Sequence, residues 1–168
     1  MIAILLNDAS FEQDIRELLM AFYPGETFTH KEEEAGEADL IVRGVRDGNS
    51  FSLDVTPVKK EAVHFALIYP DFSNRFETKN EIKQTLYRLL SAQTGRELPW
   101  GTLTGIRPTK IALTKLYDGW TDEQIETYMC ETYFTSKEKI DLSIDVAERE
   151  RRLLSTIDYE NGYSLYVG

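Results

Sequence analysis

The sequence predicts an α+β fold in which a βα unit, a β-hairpin and a second βα unit form an N-terminal sandwich, followed by a helical segment and a terminal strand. Three observations predict this order. An apolar run opens the chain ahead of a helical repeat, an Asp-Gly turn lies between extended segments, and helical repeats dominate the second half. With 42% hydrophobic and 11% aromatic residues, the 168-residue chain has enough apolar surface to bury a core.

The first βα unit is predicted over residues 2–22. Residues 2–6 are an apolar run typical of a strand, and Ser10 with Gln13 has the spacing of a capping box before a helix. The next segment, HKEEEAGEAD, is predicted to be a solvated acidic loop because its carboxylates have no neighbouring set of metal-ligating residues.

The hairpin follows at residues 39–56. Residues 46–49 read RDGN, and this Asp-Gly pair is typical of a tight β-turn. Residues 51–56 alternate between apolar and polar side chains, as expected of a half-buried strand. Residues 62–69 are predicted to form a further, more buried strand. Residues 78–94 then predict a helix, and Gly95 provides a left-handed stop for it.

The second half is predicted to consist of three helices. Pro108 begins the first, Thr121 with Gln124 forms a capping box for the second, and Thr135 with Glu138 forms one for the third. The third helix is predicted to extend to about residue 157 and carries two apolar stripes, which predict burial on two sides. One stripe contains Ile140, Ile144, Ala147 and Leu154, and the other contains Leu142, Val146 and Leu153.

These segments predict an α/β subdomain over residues 1–96, a helical subdomain over residues 97–160 and a separate strand over residues 161–168. The last segment alternates apolar and polar residues, and the sequence ends one residue after the last apolar residue of this alternation. Because a terminal apolar strand leaves an unpaired edge, we expect the chain to be a fragment of a longer protein, severed from the partners of that strand.

Charge and cysteine content exclude several classes of function. The 29 acidic residues against 19 basic residues give a formal net charge of -10, which argues against a surface for generic binding of nucleic acid. No apolar stretch approaches the length of a membrane span, and the N-terminus lacks the features of a signal peptide. One cysteine, Cys130, cannot form an internal disulfide, a structural zinc site or an iron-sulfur cluster. We therefore expect a cytoplasmic protein with no membrane partner and no cofactor held by this chain.

The motif LPWGTLTGIRPTK, residues 98–110, is the strongest candidate site. It belongs to a window without acidic residues that extends to residue 117, and it combines glycines, hydroxyls and cations with a helix start at Pro108. One interpretation is a site for an anion or substrate, and the other is a rigid turn between subdomains; both stay open. The residues concerned are Thr104, Gly105, Arg107, Thr109 and Lys110.

The two histidines and the cysteine predict no catalytic or metal-binding role. His30 and His64 are isolated, and Cys130 has no neighbouring base that would activate it as a nucleophile. No triad or pair of carboxylates is recognisable, so no catalytic residue is predicted.

The motif at residues 98–110, followed by a helical segment and the closing GYSLYVG, resembles the N-terminal region of the HemZ-type oxygen-independent coproporphyrinogen III oxidases, which are radical SAM enzymes. In that family the closing strand leads into a three-cysteine loop that binds a 4Fe-4S cluster and S-adenosylmethionine. The resemblance implies that residues 161–168 are the first strand of a radical-SAM barrel, that the barrel is the partner of this chain, and that the cluster ligands lie beyond it.

The resemblance also implies a parent enzyme of haem biosynthesis that oxidatively decarboxylates coproporphyrinogen III to protoporphyrinogen IX. This chain would be its accessory N-terminal domain, and an anionic tetrapyrrole substrate would be a second partner. Two alternatives stay open. One is a regulatory module that binds a nucleotide or RNA, and the other is the N-terminal domain of a haem-chaperone relative.

Overall fold

The computed structural model describes residues 1–58, 63–105 and 107–155, and it confirms the α+β class. Five strands form one mixed sheet in the order β2-β1-β3-β4-β5. β1 pairs in parallel with β2 and with β3, whereas β3, β4 and β5 form an antiparallel meander. The strands are β1 (Ile2–Leu6), β2 (Phe28–Thr29), β3 (Leu40–Asp47), β4 (Ser50–Pro57) and β5 (His64–Ile68).

The predicted hairpin is confirmed at the β3–β4 turn. Asp47 pairs with Ser50, and Gly48 has a positive φ of 56°, which glycine adopts without steric cost. Phe51, Leu53 and Val55 are fully buried, so the alternation of β4 directs its apolar side chains into the core.

Two helices, α1 (Glu12–Phe22) and α2 (Arg75–Thr94), cover one face of the sheet. Their apolar stripes and the inward side chains of β1, β3 and β4 form the main hydrophobic core. The predicted stop of α2 is confirmed, because Gly95 has a left-handed φ of 67° and its N–H donates to Ser91 O.

The prediction that β5 is more buried than β4 is wrong. Phe65 is 61% exposed and Leu67 is 47% exposed. β5 lies at the sheet edge, and these residues pair with Asp54 and Ser52, which face away from α1 and α2. A run of apolar residues therefore marks an exposed surface here.

Two predictions near the N-terminus are also corrected. Ser10 and Gln13 do not form a capping box: the Asp8 carboxylate accepts from Ser10 N–H and caps a short 3-10 helix ahead of α1. The acidic segment is not simply a solvated loop, because residues Glu32–Glu37 form a 3-10 helix. Its Ala35 is buried against the face of β1 opposite the main core.

Three helices form the second half, and they bury a separate hydrophobic cluster. They are α3 (Thr109–Tyr117), α4 (Asp122–Tyr133) and α5 (Lys137–Leu154). The capping box of Thr121 and Gln124 is confirmed at the start of α4. The third predicted capping box is wrong, because α5 begins at Lys137, after Ser136, without a side-chain cap.

α5 buries only one of its two predicted stripes. Ile140, Ile144 and Ala147 are buried against α3 and α4. Leu142 and Val146 are 45% and 36% exposed, so burial on two sides is not found among the described residues. The predicted extension of this helix to residue 157 and the predicted strand at residues 161–168 lie outside the described residues. The described helices include none with the length and apolarity that a membrane span requires.

The first part of the sequence motif joins the two halves of the chain. Leu98 N–H donates to the Tyr87 hydroxyl of α2 over 3.0 Å, while Thr102 N–H donates to Tyr133 O over 2.7 Å. Gly101, between these two contacts, has a φ of 57°, and a Cβ atom there would lie 1.9 Å from Tyr133 O. This backbone contact therefore requires glycine.

We expect Gly101→Ala to destabilise the protein by about 2–4 kcal/mol, because alanine would meet both an unfavourable φ and a backbone carbonyl. Gly105→Ala is the matched control in the same motif, since no atom of a residue other than its chain neighbours lies within 4 Å of its Cβ position. That variant should change stability by no more than about 0.5 kcal/mol. Urea unfolding of both variants tests the contact, and equal midpoints would contradict it.

Candidate functional site

A pocket of about 250 Å³ opens between α1, α2 and the end of the turn at residues 102–105. Its polar lining comes from Glu17 of α1, from Lys79, Asn80 and Lys83 of α2, and from Thr104 of the turn. Phe76, Leu103, Ile111 and Tyr133 are also among the lining residues. The pocket therefore combines a charged and hydrogen-bonding wall with an apolar one.

Lys83 is the unusual residue of this pocket, because it carries an ammonium group in a side chain that is only 5% exposed. Its Nζ donates to Thr104 Oγ1 over 2.9 Å, and the same hydroxyl donates to Glu17 Oε2 over 2.8 Å. Thr104 thus relays a hydrogen bond from α2 to α1. The relay also holds the turn against both helices.

Burial lowers the pKa of Lys83, because an ammonium group loses hydration in this position. The charge of Lys79, one helical turn away, lowers it further, and the carboxylates of Asp14 and Glu17 oppose both effects. Lys79 itself forms an ion pair with Asp14 over 3.0 Å. A direct anionic partner would therefore stabilise the charged form of Lys83.

The carboxylate of Glu17 is held ionised by its hydrogen bonds. Burial alone would raise its pKa, but donation from Gln13 and Thr104, together with the charges of Lys83 and Lys79, brings the pKa below its ordinary value. The Gln13 amide lies 3.0 Å from Glu17 Oε1, so both carboxylate oxygens have a donor.

The structure separates the predicted site residues into two groups. Thr104 and Gly105 line the pocket. Arg107, Thr109 and Lys110 are not among the lining residues. The Arg107 side chain is 62% exposed and forms an ion pair with Glu150 of α5 over 2.8 Å.

The first turn of α3 is less open to an anion than the sequence suggests. The Lys110 N–H donates to Arg107 O over 3.1 Å, and the Ile111 N–H donates to Pro108 O over 3.3 Å. These two amides are engaged by the chain itself, so they do not point freely at a ligand.

Sequence reasoning missed Lys83 and Glu17. Lys83 stands three residues before Leu86 and four before Tyr87, both buried, and this helical spacing places it beside the buried face of α2. A lysine at this spacing is the feature of the sequence that could have predicted the buried ammonium. No feature of the sequence predicts the role of Glu17, because that role depends on a turn that lies far from it along the chain.

The single cysteine of the sequence does not fit the ligand requirement of an iron-sulfur cluster. Across residues 1–58, 63–105 and 107–155, no three His, Cys, Asp or Glu side chains come together as a metal site. Cys130 is exposed, and His30 Nε2 lies 2.8 Å from Glu12 Oε1. A 4Fe-4S cluster needs several thiolates, which this donor set cannot supply.

Comparison with known proteins identifies a relative of this chain. Over 117 residues the chain is 32% identical to the oxygen-independent coproporphyrinogen-III oxidase-like protein HemZ of Bacillus subtilis (strain 168). The alignment covers 67% of this chain and 23% of that protein, so the chain spans only part of the length of its relative. No protein-family model matches the chain, and no solved structure matches it.

The buried ammonium predicts an unusual dependence of stability on pH. Unfolded Lys83 keeps its proton up to the ordinary lysine pKa of 10.5, whereas the folded group has a lower pKa and releases its proton earlier as pH rises. Between these two values the unfolded state binds more protons at Lys83, so this residue contributes a rise in the free energy of unfolding with pH. Lys83→Met should remove that contribution, and the stability of the variant relative to the native protein should be greatest near neutral pH.

Urea unfolding at about pH 7 and about pH 10 measures this difference. Lys110→Met, which removes an exposed ammonium from α3, is the control and should follow the native profile. A Lys83→Met profile parallel to that of the native protein would show that the ammonium is not desolvated.

Proposed function

Because this chain is related to the HemZ-type oxygen-independent coproporphyrinogen III oxidase-like proteins, we propose that it is the accessory N-terminal domain of such a protein in haem biosynthesis. The parent protein would oxidatively decarboxylate coproporphyrinogen III to protoporphyrinogen IX. The observation that carries this proposal is the 32% identity over 117 residues.

The chemistry of the proposed parent would be supplied by a radical-SAM barrel outside this chain. A 4Fe-4S cluster and S-adenosylmethionine belong to that barrel in the proposal, since the one cysteine of this chain cannot hold the cluster. In this proposal the domain packs against the barrel and contacts the substrate.

Exposed apolar surfaces support a packing role. Phe65 and Leu67 lie on the face of the sheet opposite α1 and α2, and Leu142 and Val146 lie on the outer side of α5. Apolar side chains grouped on one surface are typical of contact with another protein part. We propose that the barrel covers at least one of these two faces.

The cationic end of the motif supports a role in contact with an anionic tetrapyrrole. Arg107 and Lys110 are exposed near the start of α3, and the carboxylates of the substrate would compete with Glu150 for Arg107. Each exposed contact of this type contributes about 0.3–1 kcal/mol, so the effect on binding is modest.

The first test is turnover by the isolated chain and by the longer protein that contains it. With S-adenosylmethionine and a reductant, the longer protein should convert coproporphyrinogen III to protoporphyrinogen IX. The product is oxidised to the fluorescent porphyrin and detected by chromatography. The 168-residue chain alone should form none. Product from the isolated chain, or none from the longer protein, would contradict the proposal.

The second test concerns the two cations in the longer protein. Arg107→Ala combined with Lys110→Ala should raise the Michaelis constant for coproporphyrinogen III about 3- to 30-fold, which corresponds to two contacts of the stated strength. The turnover number should change little, because neither side chain is proposed to touch the reacting atoms. Lys31→Ala is the control on a distant surface. An unchanged Michaelis constant would remove the substrate role and leave the packing role intact.

A further inference from the structure

The Lys83 ammonium has unused hydrogen-bonding capacity inside a pocket. It carries three protons, and within the described part of the chain it donates only to Thr104 Oγ1. The neighbouring Asn80 side chain also lines the pocket and makes no hydrogen bond to the other described residues. Asn80 is partly buried, so a ligand in the pocket would meet donors that the described residues leave unused on both side chains.

The charged neighbours of Lys83 already have partners of their own. Asp14 is paired with Lys79, and Glu17 accepts hydrogen bonds from Gln13 and from Thr104. The Thr104 hydroxyl stands between the Lys83 ammonium and the Glu17 carboxylate. The ammonium therefore has no direct anionic partner among the described residues, although an anion in the pocket could reach it.

The walls and the size of the pocket restrict the chemistry of that anion. Phe76, Leu103 and Ile111 provide an apolar wall, which a strongly hydrated dianion such as phosphate would have to contact without its water. A volume of about 250 Å³ lies below the usual range for pockets that enclose drug-sized ligands. It suits a small acid, or one arm of a larger molecule.

We propose that this pocket binds a single carboxylate carried on a short apolar stem. The carboxylate accepts hydrogen bonds from Lys83 Nζ and from the Asn80 amide, while the stem lies against Phe76 and Leu103. The site is separate from Arg107 and Lys110 and does not depend on the function proposed above. The carboxylate could come from a small free acid or from a propionate arm of a tetrapyrrole.

The test is a titration of the ¹⁵N-labelled 168-residue chain, followed by amide chemical shifts. Butyrate represents the small acid, coproporphyrin III represents the larger molecule, and inorganic phosphate is the contrasting anion. We expect saturable shifts at residues 79–83 and 102–105 with at least one of the two carboxylate ligands. Saturation by butyrate identifies a small acid as sufficient, whereas saturation by coproporphyrin III alone identifies the arm of a larger molecule.

Two variants separate binding at the pocket from binding elsewhere. Lys83→Met should weaken the carboxylate at least about tenfold, because it removes the charged donor and keeps the apolar stem. Lys31→Met removes a surface ammonium on the first subdomain and should bind as the native protein does. Equal affinity of Lys83→Met and the native protein would overturn the proposal.

A measurement on the native protein covers the case in which Lys83→Met fails to fold. Binding of a carboxylate beside the ammonium favours its charged form, so the pKa of Lys83 measured by NMR should rise when butyrate or coproporphyrin III saturates the protein. No saturable shift with either carboxylate, an unchanged pKa, or phosphate binding as tightly as the carboxylates would each overturn the proposal. None of these results depends on turnover by the longer protein.

Discussion

The turn at residues 98–105 is the segment on which the arrangement of the two halves depends. The close approach of the Gly101 backbone to Tyr133 O holds this turn against the corner between α4 and α5, and Leu98 N–H joins it to α2. The helices and the sheet each bury their own hydrophobic cluster, and Phe134 of the helical half also packs against the main core. The turn adds a backbone constraint to this packing, because Gly101 leaves no room for a Cβ atom and cannot shift without losing hydrogen bonds.

The same turn also provides the hydrogen-bond partner of a charged group in the interior. Thr104 follows the fixed segment and reaches both Lys83 and Glu17, so the position of the turn sets the geometry of the pocket. A buried ammonium contributes little to stability, and an apolar side chain of similar size often serves better. Its position in the pocket is the basis of the proposal that this pocket binds a carboxylate.

Much of the fold could be predicted because local chemistry determines it. The Asp-Gly turn at Gly48 and the capping box at Thr121 depend only on residues that are close in the sequence, and both are found as expected. Features set by distant contacts could not be predicted. Phe65 belongs to an apolar run that looks buried until the sheet order places it at an edge. Thr104 was identified from its motif, whereas its partner Lys83 depends on how α2 packs against the turn. The division of the chain into subdomains stays a prediction.

Native-state hydrogen exchange of the Leu98 and Thr102 amides tests most directly whether the turn holds the two halves together. Leu98 N–H donates to the Tyr87 hydroxyl of α2, and Thr102 N–H donates to Tyr133 O at the end of α4, so the two amides report the two sides of the turn. If the turn is part of the cooperative structure, the opening free energy of both amides should equal that of the central Val42 amide, which requires global unfolding. An opening free energy several kcal/mol lower at Leu98 or Thr102 would contradict the role of the turn as the joint between the halves.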